Sequence, residues 1–322
     1  MRKYIGHPMQ LYGVKTVRIE GGKGDGMKLL QVNNAAGLSF AVSADRCADI
    51  SELSFKGVNF AYISPCGYVS PKYYDNKGAG FLKSFTAGFM TTCGFSNVGS
   101  PNTDDGEELG LHGNISNTPC ENISYNIDDE KIVIKATVRD ATIFNHQYVL
   151  EREYVCPLYE NVIYVTDTIT NVGSKTSPLE VLYHCNMGYP LLSEDSIVKI
   201  PTLSVTPRNE HSASGIDNCL VMEKPQNDYE EMCFYHEMKG ETNVSIYNPK
   251  INKGLVMEYN SDELSYFTEW KMMGEKEYVL GLEPGNCTPD GRNIMREQGR
   301  LEFLKPGEKK IHHLKFTFIE EN

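Results

Sequence analysis

Short segments in which apolar and polar residues alternate restrict the fold of this chain more than any other feature. Clear examples are NVIYVTDTITN (161–171), PLEVLYHCNMG (178–188) and YVLGLEP (278–284). This period of two, in segments rich in Val, Ile, Tyr and Thr and separated by Gly, Asn, Asp or Pro, predicts half-buried β-strands. No long amphipathic helix with a capping signature lies between them. The pattern therefore predicts an all-β fold of antiparallel strands, either a sandwich or a barrel.

No sequence feature divides the 322 residues into separate domains. There is no Gly/Ser-rich linker, no block of like charge and no repeat with a period of about 20–50 residues. Large all-β sandwiches commonly remain one domain at lengths of about 250 residues, so we expect residues 1–322 to form a single domain. Residues 74–92 are a candidate for one short helix, and the long irregular stretch at 93–122 is a candidate for a functional loop.

The charge and the cysteine content restrict the partners and the compartment. A net charge of −12 argues against a nucleic-acid partner, which needs a basic surface for phosphates. No segment approaches the roughly 20 apolar residues of a membrane-spanning helix, and the first residues contain no apolar signal segment. The nine cysteines are odd in number and include no CxxC pair. We therefore expect unpaired thiols and a cytoplasmic protein without a membrane partner.

Four side chains in suggestive positions are able to transfer protons. His112 lies between glycines in LGLHGNIS, and His146 lies at the start of a predicted strand. His184 is near the end of a strand that precedes a Gly/Pro turn, and Glu283 is at the end of the strand YVLGLEP. Taken singly, such a histidine is more often a polar structural residue, and such a glutamate can simply end a strand. An antiparallel sandwich can gather distant strand ends along one cleft, so His112, His184 and Glu283 together predict an acid–base site.

Three further residues and one acidic segment are candidates for ligand binding. Trp270, the only tryptophan, lies next to Lys271 in EWKMMG, and its ring can stack on a sugar or fill the core. Arg46 in SADRCADIS either points into a cleft or lies on the surface of the sheet without a functional role. The segment NTDDGEEL (102–109) offers paired carboxylates of the kind that hydrolyse glycosides. Four acids in a polar loop are, however, more often only solvated.

Three motifs in this sequence resemble those of a known superfamily, and they occur in the same order. They are LGLHGNISNTP (109–119), DTITNVGSKTSPLEVLYHCNMGYPLL (167–192) and YVLGLEPGN (278–286). The second is the most specific of the three, whereas the histidine–glycine pair of the first is weak alone. On these motifs the chain resembles the galactose mutarotase-like superfamily, in particular its aldose 1-epimerase-like branch.

The resemblance implies a large antiparallel β-sandwich, the galactose mutarotase-like supersandwich, and an enzyme that interconverts sugar anomers. It implies Glu283 as the base, His184 as the acid and His112 as a residue that positions the sugar. Asn186 belongs to the same motif as His184 and is an expected binding residue. The other expected binding residues are Arg46, His146, Trp270 and Lys271. The expected partner is a monosaccharide or sugar derivative, and the reaction requires no cofactor or metal.

Two parts of the superfamily pattern are absent. GFMTTCGFSNVG (88–99) replaces the usual arginine-containing GRxANR stretch, and Arg46 is the candidate to take that arginine's place. The aspartate that usually holds a sugar hydroxyl has no clear counterpart, and Asp217 is the nearest candidate. These departures affect the choice of sugar more than the proton transfer.

Three other interpretations remain open. The fold can serve a sugar-binding accessory protein that catalyses nothing, because fold alone does not fix function. His112, His184 and Glu283 could instead form the two-histidine, one-carboxylate ligand set of a divalent metal, as in a metal-dependent sugar isomerase. A glycoside hydrolase or lyase is the third interpretation, and it needs a second carboxylate across the cleft that the sequence does not place.

Overall fold

The structure is a computed structural model that describes residues 2–321, and its regular structure is dominated by β-strands. In chain order these are β1 (Gly13–Arg18), β2 (Lys28–Asn33), β3 (Leu38–Ser43), β4 (Asp49–Phe55), β5 (Val58–Asn59), β6 (Tyr62–Ile63), β7 (Ala87–Gly88), β8 (Met90–Phe95), β9 (Asn102–Asp104), β10 (Glu107–Leu109), β11 (Cys120–Ile127) and β12 (Lys131–Ala141). They continue with β13 (Gln147–Pro157), β14 (Val162–Asn171), β15 (Ser177–Met187), β16 (Ile197–Lys199), β17 (Ser204–Pro207), β18 (Met232–Glu237), β19 (Glu241–Asn248), β20 (Lys253–Asn260), β21 (Tyr266–Gly274), β22 (Glu277–Gly285), β23 (Glu302–Leu304) and β24 (Lys309–Ile319).

Helices are few and short. The α-helices are α1 (Glu210–Ala213) and α2 (Arg292–Glu297). Single turns of 3₁₀-helix occur at Arg2–Tyr4, Pro8–Gln10, Pro71–Tyr73, Gly80–Lys83, Ile115–Asn117 and Ile216–Asn218. The short helix expected within residues 74–92 is therefore present as one turn, Gly80–Lys83. Between residues 2 and 321, no helix is long and apolar enough to cross a membrane.

Two large antiparallel sheets form the body of the protein. The first has 12 strands in the order β1-β2-β3-β4-β8-β15-β22-β21-β18-β17, with β5 paired to β4 and β23 paired to β15. The second has 8 strands in the order β11-β12-β13-β14-β24-β20-β19-β16. Two small two-stranded sheets complete the fold: the hairpin of β9 with β10, and the pair of β6 with β7. The predicted all-β sandwich of large antiparallel sheets is thus confirmed.

The hydrophobic core lies between the two large sheets. Phe55 of β4 and Phe318 of β24 face each other with ring centroids 6.1 Å apart, and Phe95 of β8 meets Tyr148 of β13 at 5.8 Å. These edge-to-face and tilted contacts join residues far apart in sequence, as the alternation of side chains along each strand requires. All nine cysteines are unpaired, as the sequence predicts, and seven of them are buried.

Strand β15 shows how the first sheet separates the core from a second, outer surface. Its odd-numbered residues, including Val181 and Tyr183, belong to the core between the sheets. Its even-numbered residues point the other way, and Leu182 joins a smaller apolar cluster with Phe81 and Phe85. His184 projects to that same outer face, because successive side chains of a strand alternate between its two sides. The outer face of β15, of its neighbour β22 and of the next strand, β21, therefore forms the floor of a pocket.

Candidate functional site

A histidine and a glutamate meet at the floor of this pocket. His184 is on β15 and Glu283 is on β22, and these strands are paired in the sheet. Nδ1 of His184 lies 3.1 Å from Oε1 of Glu283, and the two side chains are only 6% and 2% exposed. Despite the short distance, neither atom has a well-aligned hydrogen bond to any residue of the described chain. The pair is therefore close enough to share a proton and retains hydrogen-bonding capacity for a ligand.

A glycine on the same strand makes room for the glutamate. Gly281 and Glu283 are two residues apart on β22, so both face the pocket. A Cβ atom added to Gly281 would lie 2.2 Å from Oε1 of Glu283 and 3.0 Å from Cβ of Trp270. The carboxyl group thus folds back over the glycine, and no larger residue fits beneath it without moving it.

His112 enters the pocket from the loop between β10 and β11. Its backbone has φ of 58°, a left-handed conformation, and its ring centroid is 5.6 Å from that of His184. The N–H of Gly99 donates a hydrogen bond to Nδ1 of His112 at 3.3 Å. In the neutral ring the hydrogen must then be on Nε2. Burial, helped by the charge of Arg208, lowers the pKa of His112 to about 4, so this imidazole is a neutral donor near pH 7.

Burial shifts the pKa values of the central pair in opposite directions. It raises the pKa of Glu283 well above the usual 4.5, an effect that Glu231 increases and Arg208 opposes. It lowers the pKa of His184 well below the usual 6.5, and His112 adds to that effect. The site thus disfavours both the carboxylate and the imidazolium. Because both shifts favour the uncharged groups, the proton of the pair lies on Glu283 beside a neutral His184.

Aromatic side chains form the walls beside the pair. The rings of Phe85 and Trp270 are each 5.2 Å from the ring of His184. The indole Nε1 of Trp270 donates a hydrogen bond to Glu231 at 2.7 Å, which fixes the orientation of the ring. The cavity has a volume of about 180 Å³. Its combination of aromatic walls with a few polar groups is typical of small-molecule sites.

Two charged residues of the pocket were not identified from the sequence. Arg208 follows β17, and its Nη2 donates a hydrogen bond to the hydroxyl of Ser100 at 2.8 Å, while Nε lies 3.5 Å from Asp290. Glu231 directly precedes β18, the strand that pairs with β21, which carries Trp270. Both come from residues 205–232, whose sequence shows loop composition and no recognisable motif. Only the pairing of β17, β18 and β21 brings them to the pocket.

The structure places Arg46 away from the pocket surface. Its guanidinium is buried and its Nη1 donates hydrogen bonds to the carbonyls of Val69 and Ser84, at 3.0 and 2.8 Å. Burial lowers its pKa, and nearby Asp49 partly offsets this. The residue holds the segments at 69 and 84 together, so it does not take the place of the missing family arginine. Arg208 is the arginine that lines the pocket.

Lys271 and His146 also lie outside the pocket. Lys271 is next to Trp270 on β21 and so points to the opposite face, where its Nζ donates to the carbonyl of Val221 at 2.7 Å. His146 is buried near Asp140, with 3.5 Å between Nε2 and Oδ1, and it stacks on Tyr148. The structure therefore does not bring either side chain to the pocket that holds His184 and Glu283.

Asn186 lies next to His184, whereas Asp217 lies away from the pocket. Asn186 is on the same face of β15 as His184, and its Nδ2 donates to the carbonyl of His184 at 2.8 Å. It lies behind the histidine and partly offsets the lowering of the pKa of His184, so it acts on that ring rather than lining the cavity. Asp217 is exposed in the 3₁₀ turn Ile216–Asn218 and does not reach the pocket.

The acidic segment 102–109 forms the β9–β10 hairpin rather than a second carboxylate site. Asp104 is buried and binds Arg292 at 2.6 Å, and Arg292 also binds Glu107 at 2.8 Å. These acids therefore hold α2 against the hairpin. Across residues 2–321, no three His, Cys, Asp or Glu side chains are grouped so as to hold a metal ion.

The two-sheet fold places the chain in the galactose mutarotase-like superfamily. It is similar to the structure of a Klebsiella pneumoniae protein provisionally named an aldose 1-epimerase, with a TM-score of 0.92, 26% sequence identity and coverage of 98% of this chain and 86% of that one. It is also similar to a galactose mutarotase-like protein from Clostridium acetobutylicum, with a TM-score of 0.69, 17% identity and coverage of 97% and 100%. The second likeness concerns the fold alone.

Within that superfamily the sequence identifies a particular family. The chain belongs to the family described as Domain of unknown function (DUF4432), whose model matches residues 24–318. No curated protein matches the sequence.

Proposed function

We propose that this protein is an aldose 1-epimerase-type isomerase that interconverts the α and β anomers of a sugar. The observation that carries the proposal is the buried contact between His184 and Glu283, 3.1 Å apart at the floor of an aromatic pocket. The anomeric hydroxyl and the ring oxygen of a pyranose are bonded to the same carbon. Groups that exchange protons with both must therefore be neighbours, as these two are. The provisional name of the Klebsiella protein supports the same class of reaction.

The reaction uses the pair as one acid and one base. Glu283 takes the proton of the anomeric hydroxyl, and the electrons of that O–H bond form the C1=O bond. The C1–O5 bond breaks at the same time, and O5 receives a proton from His184. After rotation about C1–C2 the ring closes on the other face, with the two residues in reversed roles. The pair starts and ends with one proton in total. Because burial favours the uncharged groups, that proton lies on Glu283 at rest and must first pass to His184 across the 3.1 Å contact, which forms the carboxylate and imidazolium that react.

Three other side chains position the sugar. His112 offers Nε2–H as a neutral donor, because its Nδ1 is occupied by the N–H of Gly99. Arg208 supplies the cation of the pocket and remains partly exposed to it. Trp270 presents an apolar ring beside His184 for the carbon face of the sugar. The substrate is a monosaccharide or a sugar derivative, and the nine unpaired cysteines fit a reducing, cytoplasmic setting.

The test is anomer exchange measured by NMR on a panel of aldoses. Glu283→Gln keeps the size of the side chain but cannot accept the proton, so we expect a loss of about 10²–10⁴-fold in exchange rate with sugar binding retained. His184→Gln should behave similarly. Glu275→Gln is the matched control, because Glu275 is an exposed glutamate in the turn between β21 and β22. Exchange near the wild-type rate in Glu283→Gln would overturn the proposal, and sugar binding without exchange in the wild type would favour a binding protein.

A further inference from the structure

A buried glutamate lies on the same strand as His184 but outside the pocket. Glu180 is four residues before His184 on β15, so it points to the same outer face of the sheet. At the rise of an antiparallel strand the two residues are roughly 14 Å apart. Glu180 is fully buried and does not line the cavity. Direct contact between its carboxyl group and a ligand in the pocket is therefore excluded.

One oxygen of Glu180 holds the loop that follows β8. Its Oε2 accepts a hydrogen bond from the N–H of Val98 at 2.8 Å. Val98 is the first residue of a short segment, 98–100, that runs along the edge of the pocket. The other two N–H groups of the segment, those of Gly99 and Ser100, make longer hydrogen bonds of 3.3 Å. Glu180 thus ties the 98–100 segment to β15 through the shortest of its N–H contacts.

The next two residues of the segment each contact a side chain that we propose positions the sugar. The N–H of Gly99 donates to Nδ1 of His112 at 3.3 Å, and the carbonyl of Gly99 accepts from the N–H of His112 at 3.1 Å. The hydroxyl of Ser100 accepts a hydrogen bond from Nη2 of Arg208 at 2.8 Å. The segment held by Glu180 therefore orients both His112 and Arg208.

The carboxyl group of Glu180 serves as an uncharged acceptor at neutral pH. Burial raises its pKa to about 8, although the N–H of Val98 and the charge of Arg292 oppose this shift, and Asp104 adds to it. At pH 7 the group is therefore mostly protonated. Its Oε1 has no hydrogen-bond partner among residues 2–321. The contact with the loop thus needs one acceptor oxygen, which a glutamine also supplies.

We propose that Glu180 is a positioning residue for the candidate site, because its hydrogen bond to Val98 fixes the segment that orients His112 and Arg208. The inference rests on the proposed function, in which these last two residues position the sugar. Loss of the bond leaves a buried N–H without an acceptor, which is costly enough to displace the segment. The pair that transfers protons is held by β15 and β22 instead. The expected effect is therefore weaker sugar binding, with the rate at saturation nearly unchanged.

The first test observes the ring of His112 directly, by long-range proton–nitrogen NMR of the histidine side chains. Donation from Gly99 to Nδ1 gives the wild type the Nε2–H tautomer. Glu180→Met removes the acceptor but keeps the length of the side chain, so we expect His112 to populate both tautomers. Glu180→Gln keeps the acceptor and should retain the wild-type signal. The spectrum of His112→Gln assigns the signal. A wild-type signal in folded Glu180→Met would overturn the inference.

The second test separates binding from turnover. Anomer exchange is measured by NMR over a range of concentrations of the aldose that exchanges fastest in a panel that includes galactose and glucose. For Glu180→Met we expect KM to rise about tenfold, the typical effect of one lost hydrogen bond to a ligand. We expect kcat to fall less than about threefold, since this segment does not hold the proton-transferring pair. Glu180→Gln should restore both values. A large fall in kcat with an unchanged KM would contradict the positioning role.

Asn34→Leu controls for a general loss of stability. Asn34 is buried in the turn between β2 and β3, where its Oδ1 accepts from the N–H of Leu38 at 2.9 Å, and it does not line the pocket. This variant should also unfold at a lower urea concentration, but with the KM and the His112 signal of the wild type. An equal rise in KM in Asn34→Leu would overturn the inference, because instability alone would then explain the effect.

A shorter acid at the same position covers the case in which Glu180→Met does not fold. Glu180→Asp keeps the carboxyl group but withdraws it from Val98 by one methylene, so the same mixture of His112 tautomers is expected. An unchanged His112 signal in Glu180→Asp would then overturn the inference.

The inference and the proposed function fail separately, since the tautomer of His112 does not depend on turnover. Mixed tautomers in Glu180→Met, with no anomer exchange by the wild type, would refute the isomerase and leave the hold of Glu180 on His112 standing. Exchange by the wild type, with an unchanged His112 signal in Glu180→Met, would refute the positioning role and leave the isomerase standing.

Discussion

Replacing Gly281 with alanine tests the site without removing any functional group. The added Cβ would lie 2.2 Å from Oε1 of Glu283, whereas real Cβ atoms essentially never approach another heavy atom within 3.0 Å. The strand backbone cannot easily move, because Gly281 is paired with Trp270 on one side and Asn186 on the other. The flexible end of Glu283 must therefore withdraw by roughly 1 Å. A misplacement of that size at a reacting group commonly costs about 10²-fold in rate.

The expected loss corresponds to about 2.7 kcal/mol of activation free energy, at about 1.36 kcal/mol for each factor of ten. Overpacking should also destabilise the fold by about 1–3 kcal/mol. Gly254→Ala separates the two effects. Its Cβ would lie 2.9 Å from the carbonyl of Ile246 on β19, in the other sheet, so it should destabilise the protein comparably while leaving exchange unaffected.

The assay is NMR exchange on the best aldose, paired with urea unfolding of each variant. Combining Gly281→Ala with Glu283→Gln should cost little beyond Glu283→Gln alone, because the glycine acts through the displaced carboxylate. A folded Gly281→Ala protein that exchanges anomers within about threefold of wild type would refute the reasoning, since a misplacement of roughly 1 Å should cost far more.

Two further predictions concern pH and stability. Burial lowers the pKa of His184 from 6.5 and raises that of Glu283 from 4.5, so the one-proton state of the pair persists through neutral pH. The exchange rate should therefore form a broad plateau with pH. The rate should fall in acid, when the pair gains a second proton, and in alkali, when the pair loses its last proton. A fall in rate centred at the ordinary histidine pKa would contradict this. Arg152→Met leaves Asp49 and Asp167 buried without their cation, and urea unfolding should show a loss of about 3–5 kcal/mol. A loss below about 1 kcal/mol would contradict that estimate.

The fold was predictable because its strands obey a local rule. The alternating segment 161–171 forms β14. The strands that carry the histidine and glutamate motifs, β15 and β22, follow in the expected order along the chain. Sequence alone could not show that these two strands are neighbours, and therefore could not give the 3.1 Å contact. The resemblance to the superfamily supplied the association of His184 with Glu283 that spacing could not.

The positions that sequence could not place have specific physical causes. Lys271 directly follows Trp270, and neighbouring residues of a strand face opposite sides. This alternation alone places Lys271 on the face away from the pocket. Arg46 is on a turn, and nothing local reveals that carbonyls of residues 69 and 84 surround its guanidinium. Arg208 and Glu231 were missed because their segment lacks periodicity, so only tertiary pairing gives them a position.

The two faces of β15 connect the core to the candidate site. Tyr183 faces the core, where its hydroxyl donates to Asp167 at 2.8 Å, and Asp167 binds Arg152, which reaches Asp49 in the first sheet. The next residue, His184, faces the pocket. A fully buried network that spans both sheets therefore fixes the position of the strand immediately behind the proposed acid. Since proton transfer depends on sub-ångström placement, the buried charges stabilise the geometry of the site as well as the fold, although they never contact the substrate.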